Sequence, residues 1–143
     1  MTSDSSAKVG AHLVVANELS ELKRVSNRVN QWAQQHRVED GLSSRLDLCS
    51  TEVVTNVISY AYDDNAEHAI VLRLCRDNDL ISLTVEDDGK PFDPLQVQTK
   101  APITGPEDVR ITGWGILLVR RFFDAASYRR ADGKNYLTLN FRC

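Results

Sequence analysis

Glu52 and Asn56 are the first pair of residues whose types and spacing could do chemistry. They lie four residues apart in a segment with helical periodicity, so both project from one face of the predicted helix, opposite its apolar stripe. The carboxylate is a possible proton acceptor, and the amide oxygen is a suitable ligand for a hard cation such as Mg²⁺. A solvated helix face would show the same pair, so the pair alone does not identify a site.

A second group of such residues occupies an acidic turn. Asp87 ends a β-type run, and Gly89 follows two residues later, inside the sequence Glu-Asp-Asp-Gly-Lys-Pro-Phe-Asp-Pro. A glycine at this place allows a flat ligand to approach the backbone, while the carboxylate accepts a hydrogen bond from that ligand. The alternative is an ordinary turn, in which Asp-Gly supplies only the turn geometry.

The third group is Thr112, Gly113 and Gly115, which open an apolar segment predicted as a helix over 114–123. Exposed N–H groups and the positive end of the helix dipole make such a start a site for phosphate. A loop hinge would also use two glycines. The spacing is neither a Rossmann fingerprint nor a Walker loop, because the third glycine and the Gly-Lys-Ser/Thr sequence are both missing. Arg110 precedes the glycines and either contacts a terminal phosphate or is a surface cation.

A long connection joins the second and third groups. All four prolines and four of the seven glycines lie between residues 89 and 115. Connections longer than roughly 12–15 residues are uncommon in compact domains and usually have a function. Because this one is flanked by a carboxylate–glycine turn and a phosphate-type helix start, the sequence favours a lid over a nucleotide.

These groups must be positioned by the predicted strands and helices. Apolar periodicity predicts strands at 12–16, 69–75, 80–85, 127–131 and 135–142, and helices at 19–36, 44–62 and 114–123. Polar turns at 77–79 and 132–134 predict two hairpins. Hairpins combined with amphipathic helices predict an α+β two-layer sandwich, in which one mostly antiparallel mixed sheet carries the helices on one face. Residues 1–9 are predicted to be a disordered tail, which leaves 10–143 as a single domain.

Composition restricts the class of protein. The chain has 143 residues, of which 42% are apolar and 26% charged, with a formal net charge of −3. It contains no apolar run of 18 residues and no leader-like start, so we expect neither a membrane span nor secretion. Three cysteines without close spacing predict no disulfide framework or metal set and fit a reducing cytoplasm. The net negative charge argues against direct nucleic-acid binding.

Charge is distributed unevenly along the chain. Residues 110–143 contain seven basic and two acidic residues. This basic segment is either a contact surface for an acidic partner or a counterweight to nucleotide phosphates.

In this order, the three groups resemble the motifs of the Bergerat-fold (GHKL) superfamily of ATPases and kinases. Thr-Glu-Val-Val-Thr-Asn at 51–56 resembles its N box, Asp-Asp-Gly at 87–89 its first glycine box, and Gly-Trp-Gly at 113–115 its second. The resemblance extends from about Leu42 to the end of the chain. The compact size and the sequences Glu-Val-Val-Thr-Asn and Asp-Gly-Lys-Pro-Phe-Asp-Pro are most similar to the stand-alone anti-sigma-factor serine kinases of the RsbW/SpoIIAB type.

The resemblance implies the Bergerat ATP-binding fold over residues 10–143 and a protein serine/threonine kinase that uses ATP and Mg²⁺. Such a kinase phosphorylates an antagonist protein on serine in a bacterial partner-switching pathway and sequesters a sigma factor. By the same resemblance, Glu52 is the general base on the acceptor serine and Asn56 is the ligand of Mg²⁺. The resemblance also implies a homodimer, with the strand at 12–16 near the subunit contact, and composition already favours a cytoplasmic location.

For the nucleotide, the resemblance implies that Asp87 accepts a hydrogen bond from the adenine amino group and that Gly89 allows the base to approach. Gly113 and Gly115 would cradle the phosphates. Thr138 occupies the place where the superfamily often has a threonine beside the adenine-binding aspartate.

One residue departs from the superfamily pattern. Pro91 stands where many members have a second glycine, and a proline stiffens the root of the lid and removes a backbone donor. It motivates the alternative that the protein is a non-catalytic module whose bound nucleotide regulates contact with a protein partner. A third interpretation, an α+β interaction domain that binds no nucleotide, is disfavoured by the order and spacing of the three groups.

Overall fold

The structure is a computed structural model that describes residues 8–93, 109–111, 117–119 and 122–143. A short 3₁₀ turn, Leu19–Glu21, precedes the first helix. The helices and strands are, in chain order, β1 (Lys8–Ala16), α1 (Leu22–Gln35), α2 (Asp40–Tyr60), β2 (Ala69–Asp77), β3 (Leu80–Asp87), β4 (Val109–Ile111), β5 (Leu117–Val119), β6 (Ala125–Ala131) and β7 (Lys134–Arg142).

Five of these strands form one sheet, in the spatial order β1-β2-β3-β7-β6. Every pairing in this sheet is antiparallel, and the register places Leu72 opposite Val85 and Leu83 opposite Leu139. The short strands β4 and β5 pair only with each other among the described residues. The predicted α+β class with one main sheet is therefore confirmed, and the described sheet is wholly antiparallel rather than mixed.

Alternation along the central strands decides which face of the sheet is buried. Ile81, Leu83 and Val85 of β3 are buried, whereas Ser82 and Thr84 lie on the other face and are half-buried. Both helices turn apolar stripes toward the buried face, as the sequence predicted for the helix-forming segments. The side chains that join the two layers include Val25, Val29, Trp32, Leu46, Val53, Val54, Ile70, Leu72, Leu139 and Phe141.

The helix α2 begins earlier than the sequence predicted. Glu39 is its N-cap residue, and the Glu39 side chain accepts a hydrogen bond from the Gly41 N–H at 3.0 Å. Because this cap satisfies a backbone donor of the first turn, the helix starts at Asp40, and Ser44 lies inside it. None of the described helices is both long and apolar enough to cross a membrane.

The strands extend beyond their predicted ends, and both predicted hairpins are confirmed. β1 begins at Lys8, so the last two residues of the predicted tail belong to a strand. Positive φ angles occur at Asn78 (59°) in the first hairpin turn, and at Asp132 (54°) and Gly133 (76°) in the second. Two consecutive left-handed residues match the twist of the flanking strands, which explains why Asp-Gly is a strong hairpin signal.

The helix predicted over 114–123 is wrong, because its centre forms the strand β5. Leu117, Leu118 and Val119 pair antiparallel with Val109–Ile111, so the backbone of 117–119 is extended. A short apolar run is compatible with either a helix or a buried strand, and periodicity alone does not separate the two. Here the segment Val109–Ile111 supplies the pairing partner.

Candidate functional site

A cavity lies between α2, the end of β3 and the start of β7. Apolar side chains form most of its walls, and a few polar residues interrupt them, which is typical of sites for small organic ligands. The apolar residues are Val53, Val57, Ala61, Val85, Phe92 and Leu137. The polar residues and tyrosines are Asn56, Asp87, Lys90, Asn135, Tyr60 and Tyr128. The sequence-predicted Asn56 and Asp87 are thus brought to the same cavity.

Asp87 is the buried acidic residue of this cavity, with 6% of its surface exposed. Its Oδ1 atom accepts hydrogen bonds from the Gly89 N–H at 2.8 Å and from Asn135 Nδ2 at 3.0 Å. Both bonds that it receives from the described part of the chain reach Oδ1. Among the described residues no donor reaches Oδ2, so this oxygen is available to a donor carried by a ligand.

The surroundings of Asp87 act on its pKa in opposite directions. Burial raises this pKa above its ordinary value, and the charge of Asp88 adds to the increase. The hydrogen bonds from Asn135 and Gly89, together with the charge of Arg130, lower the pKa. An amino group from a ligand would also lower the pKa of Asp87, as these hydrogen bonds and Arg130 do, and would favour the ionised carboxylate.

Asn135 is a residue of the site that the sequence did not reveal. It lies opposite Asp87 in the register of β3 and β7 and is only 5% exposed. Besides Asp87, its Nδ2 atom donates to the Lys90 carbonyl at 2.9 Å. Its Oδ1 atom accepts from the Tyr128 hydroxyl and from Arg130 Nη1. The pairing of Asp87 with Asn135 joins residues 48 positions apart, so no local pattern in the sequence indicates it. The turn predicted at 132–134 indicates only that Asn135 begins a strand paired with β6.

The end of α2 lies so close to Gly89 that a side chain at this position would collide with it. A Cβ atom at Gly89 would lie 2.5 Å from the Cβ atom and 2.5 Å from the carbonyl oxygen of Ala61. The next residue fixes this approach, because the Lys90 N–H donates to the Ala61 carbonyl at 2.9 Å. The close approach seen in the structure is thus that of a helix end, and Gly89 is not among the described residues that line the cavity. The expected approach of a ligand base to Gly89 stays a prediction.

Thr138 does not lie beside Asp87, so this expectation is wrong. Successive residues of β7 alternate between the two faces of the sheet, and Asn135 and Leu137 face the cavity. Thr138 is on the opposite face, where its hydroxyl lies 3.0 Å from that of Thr84. The position next to Asp87 belongs to Asn135.

Comparison with known proteins decides the family. Residues 15–141 match the histidine kinase-like ATPase domain family. The chain belongs to this family. It is 32% identical over 126 residues to the serine/threonine-protein kinase BtrW of Bordetella bronchiseptica, an alignment that covers 85% of this chain and 89% of that protein. The predicted resemblance to Bergerat-fold kinases is therefore confirmed.

The fold of this ATPase domain is also found in a solved structure. The crystal structure of the RsbU and RsbW domains of a Mycobacterium tuberculosis protein aligns with a TM-score of 0.63 at 13% sequence identity. The alignment covers 94% of this chain and 32% of that longer chain. At this identity the likeness shows a shared fold.

In this histidine kinase-like ATPase domain, Glu52 lies one helical turn before Asn56 on α2. Its side chain is half-buried and is not among the described residues that line the cavity. Glu52 is close enough to Cys49 to add to the effect of burial, which raises the pKa of the Cys49 thiol to about 12. Cys49 is therefore a neutral packing residue. The predicted role of Glu52 in the site stays a prediction.

The remaining predicted residues cannot be placed at the cavity. Arg110 lies in β4, where its backbone pairs with Leu118, and its side chain falls outside the described residues. Thr112, Gly113 and Gly115 also lie outside the described residues. The predicted phosphate site at these glycines stays a prediction.

The turn after Asp87 is also tied to the loop between α2 and β2. His68 contacts Asp64 through Nε2 at 2.8 Å and Asp88 through Nδ1 at 3.2 Å. The imidazole stacks on the Tyr62 ring with a centroid distance of 4.0 Å. The hydrogen bond that His68 donates to the Asp64 carboxylate is the main cause that raises the pKa of His68, and Asp88 adds to it. In addition, Lys90 Nζ donates to Asp63 at 3.0 Å.

Proposed function

We propose that the protein is an ATP-binding serine/threonine protein kinase of the anti-sigma-factor type. It phosphorylates an antagonist protein on serine in a partner-switching pathway. The observation that supports this most is Asp87, a buried carboxylate whose Oδ1 is held by the protein and whose Oδ2 is left for a donor in an apolar cavity. Membership of the histidine kinase-like ATPase domain family and the similarity to a serine/threonine kinase agree with it.

The cavity suits an adenine ring. A flat heteroaromatic base gains from burial between apolar side chains such as Val57, Val85 and Leu137. Its exocyclic amino group would donate to Asp87 Oδ2, while Oδ1 keeps its bonds to Gly89 and Asn135. Bases that carry a carbonyl at that position would bring two acceptors together, so the carboxylate also selects the base.

Asn56 supports the Mg²⁺ part of the proposal. It lines the same cavity as Asp87, and its amide oxygen is a hard ligand. The described residues contain no cluster of three or more side chains of the kind that hold a metal on their own. A single protein ligand fits Mg²⁺, which is usually bound by few protein groups together with phosphates and water.

Glu52 is the proposed general base. It lies one helical turn before Asn56, next to the end of the cavity-lining part of α2 that is farthest from Ala61, and this supports a place beyond the base-binding part of the cavity. There it would accept the proton of the serine hydroxyl, while Mg²⁺ neutralises charge on the transferred group. A homodimer, a sigma factor as second partner and a cytoplasmic location belong to the same proposal.

The experiment that tests this function is phosphate transfer from γ-labelled Mg·ATP to candidate antagonist proteins of the same organism. We expect one of them to be labelled on serine by the wild-type protein. A Glu52→Gln variant should bind ATP with unchanged affinity and lose transfer by about 10²-fold or more, as expected for removal of a general base.

A Glu67→Gln variant is the matched control, because Glu67 is exposed in the loop between α2 and β2. Unchanged transfer in Glu52→Gln would remove Glu52 from the mechanism. ATP binding without transfer to any antagonist, combined with nucleotide-dependent partner contact, would instead support the non-catalytic module that Pro91 suggests.

A further inference from the structure

We propose that Tyr128 and Arg130 of β6 are positioning residues that set the preference of the site for adenine. They act on Asp87 through Asn135. This inference rests on the proposed function, because it assumes that a nucleotide base binds at Asp87. Neither residue belongs to the three sequence motifs, and both come from an edge strand of the sheet.

The side-chain amide of Asn135 links β6 to Asp87. Its Nδ2 atom donates both hydrogens, one to Asp87 Oδ1 at 3.0 Å and one to the Lys90 carbonyl at 2.9 Å. Its Oδ1 atom accepts from the Tyr128 hydroxyl and, at 3.1 Å, from Arg130 Nη1. The amide thus uses its full donor capacity and both lone pairs of its oxygen.

The two donors from β6 fix the orientation of this amide. An asparagine amide turned by 180° would place its oxygen against Asp87 and its nitrogen against Tyr128 and Arg130. The oxygen would then face a carboxylate, and a guanidinium, which cannot accept, would face an NH₂ group. Tyr128 and Arg130 therefore hold the NH₂ group toward Asp87. That contact keeps Asp87 Oδ1 occupied and leaves Asp87 Oδ2 for the base.

The same two residues hold the backbone of the turn that follows Asp87. Arg130 Nη1 donates to the Gly89 carbonyl at 2.7 Å, and the Tyr128 hydroxyl accepts from the Phe92 N–H at 3.3 Å. Phe92 is itself a wall of the cavity. The strand β6 thus positions both the carboxylate and an apolar wall that would contact the base.

Neighbouring residues on the other face of the sheet provide matched controls. Arg129 precedes Arg130 on β6, and its guanidinium lies 4.2 Å from the centre of the Tyr136 ring. Arg129 and Tyr136 are thus the same residue types as Arg130 and Tyr128. They face each other across β6 and β7, and neither is among the described residues that line the cavity. Substitutions of Arg129 and Tyr136 remove a charge and a hydroxyl without removing a contact to Asn135. They therefore separate the effect of losing these groups from the effect of losing the positioning contacts.

The test is a calorimetric comparison of Mg·ATP with Mg·ITP, whose base carries a carbonyl in place of the amino group. The variants are Tyr128→Phe and Arg130→Met, with Tyr136→Phe and Arg129→Met as controls. We expect each β6 variant to lose about tenfold in ATP affinity, the size of one hydrogen bond to a charged group, and to lose less in ITP affinity, because ITP shares the apolar wall but not the bond to Asp87. The two controls should keep the wild-type ratio of ATP to ITP affinity.

If Tyr128 and Arg130 had a purely structural role, their variants would bind ATP and ITP more weakly by the same factor and would melt at a lower temperature. That result would overturn the inference. An unchanged ATP-to-ITP ratio in Tyr128→Phe and Arg130→Met would also overturn it, while ATP binding by the wild type would leave the proposed function standing. Failure of the wild type to bind either nucleotide would overturn the proposed function itself.

Discussion

Gly89 and Asp87 depend on each other at the scale of single residues. The Gly89 N–H holds one oxygen of Asp87, and Gly89 can occupy that place only because it has no side chain to meet Ala61. The Ala61 carbonyl is engaged by the Lys90 N–H, so it cannot shift without losing that bond. The glycine therefore couples the end of α2 to the carboxylate of the site.

Gly89→Ala should consequently destabilise the fold by about 1–3 kcal/mol, the usual cost of forcing extra atoms into a packed interior. Urea unfolding followed by circular dichroism measures this. Gly10→Ala is the comparison, because an added Cβ there meets nothing closer than 3.1 Å, and it should cost less. Ala61→Gly in the same chain removes only the Cβ contact, so it should restore part of the loss. Equal stability of Gly89→Ala and wild type would contradict the packing argument.

The sequence revealed some site residues and not others, for physical reasons. Asp87 and Asn56 were predicted because a carboxylate before a glycine and an amide on a helix face are local patterns. Asn135 was missed because its role arises from strand pairing with a distant part of the chain. Thr138 was misplaced because a strand alternates its faces, so an error of three residues exchanges one face for the other.

At the scale of elements, the loop between α2 and β2 is joined to the turn after β3 by a histidine between two carboxylates. Contacts with Asp64 and Asp88 raise the pKa of His68 above its ordinary value of about 6.5. A histidine with a raised pKa in the folded state binds a proton more tightly there than in the unfolded chain. Its stabilising contribution is therefore complete below about pH 6.5 and is lost as pH rises through the folded-state pKa.

A His68→Gln variant should accordingly lose most stability relative to wild type near pH 6 and less near pH 8. Urea unfolding at a series of pH values gives the difference, and proton NMR titration of His68 gives its pKa directly. His12→Gln, which removes an exposed histidine from β1, is the control. A stability difference that stays constant or grows between pH 6 and pH 8 would contradict this account of the ion pairs.

Elements with clear periodicity were predicted well, and a short element without it was not. The hairpins β2–β3 and β6–β7 combine alternating strands with turns whose residues tolerate positive φ, so local sequence suffices to define them. The segment 117–119 is too short and too uniformly apolar to show a period, and its extended form depends on pairing with 109–111.

At the scale of the whole molecule, the sheet places the site where its central strands meet the end of α2. The excess of basic residues in 110–143 is partly explained by contacts within the fold. Arg129 stacks on Tyr136, Arg130 binds the Gly89 carbonyl, and Lys134 pairs with Glu86 at 3.1 Å. These described cations therefore have structural partners, and their number alone does not indicate a surface for an acidic protein.

In the proposed function Asp87 recognises adenine, and the substitution Asp87→Asn tests this recognition most directly. Asp87→Asn preserves the size of the side chain. Its amide oxygen can still accept from the Gly89 N–H and from Asn135, so the turn keeps its bonds. Its NH₂ group, however, replaces the accepting oxygen by a donor, which suits a carbonyl on the base.

The measurement is calorimetric titration of Mg·ATP and Mg·ITP into wild type and Asp87→Asn. Glu86→Gln is the control, since Glu86 is the neighbouring acid on the opposite face of β3, paired with Arg73 and Lys134. We predict that the wild type and the control prefer ATP and that Asp87→Asn prefers ITP. Equal ATP binding by wild type and Asp87→Asn, or no ATP binding by the wild type, would contradict the account.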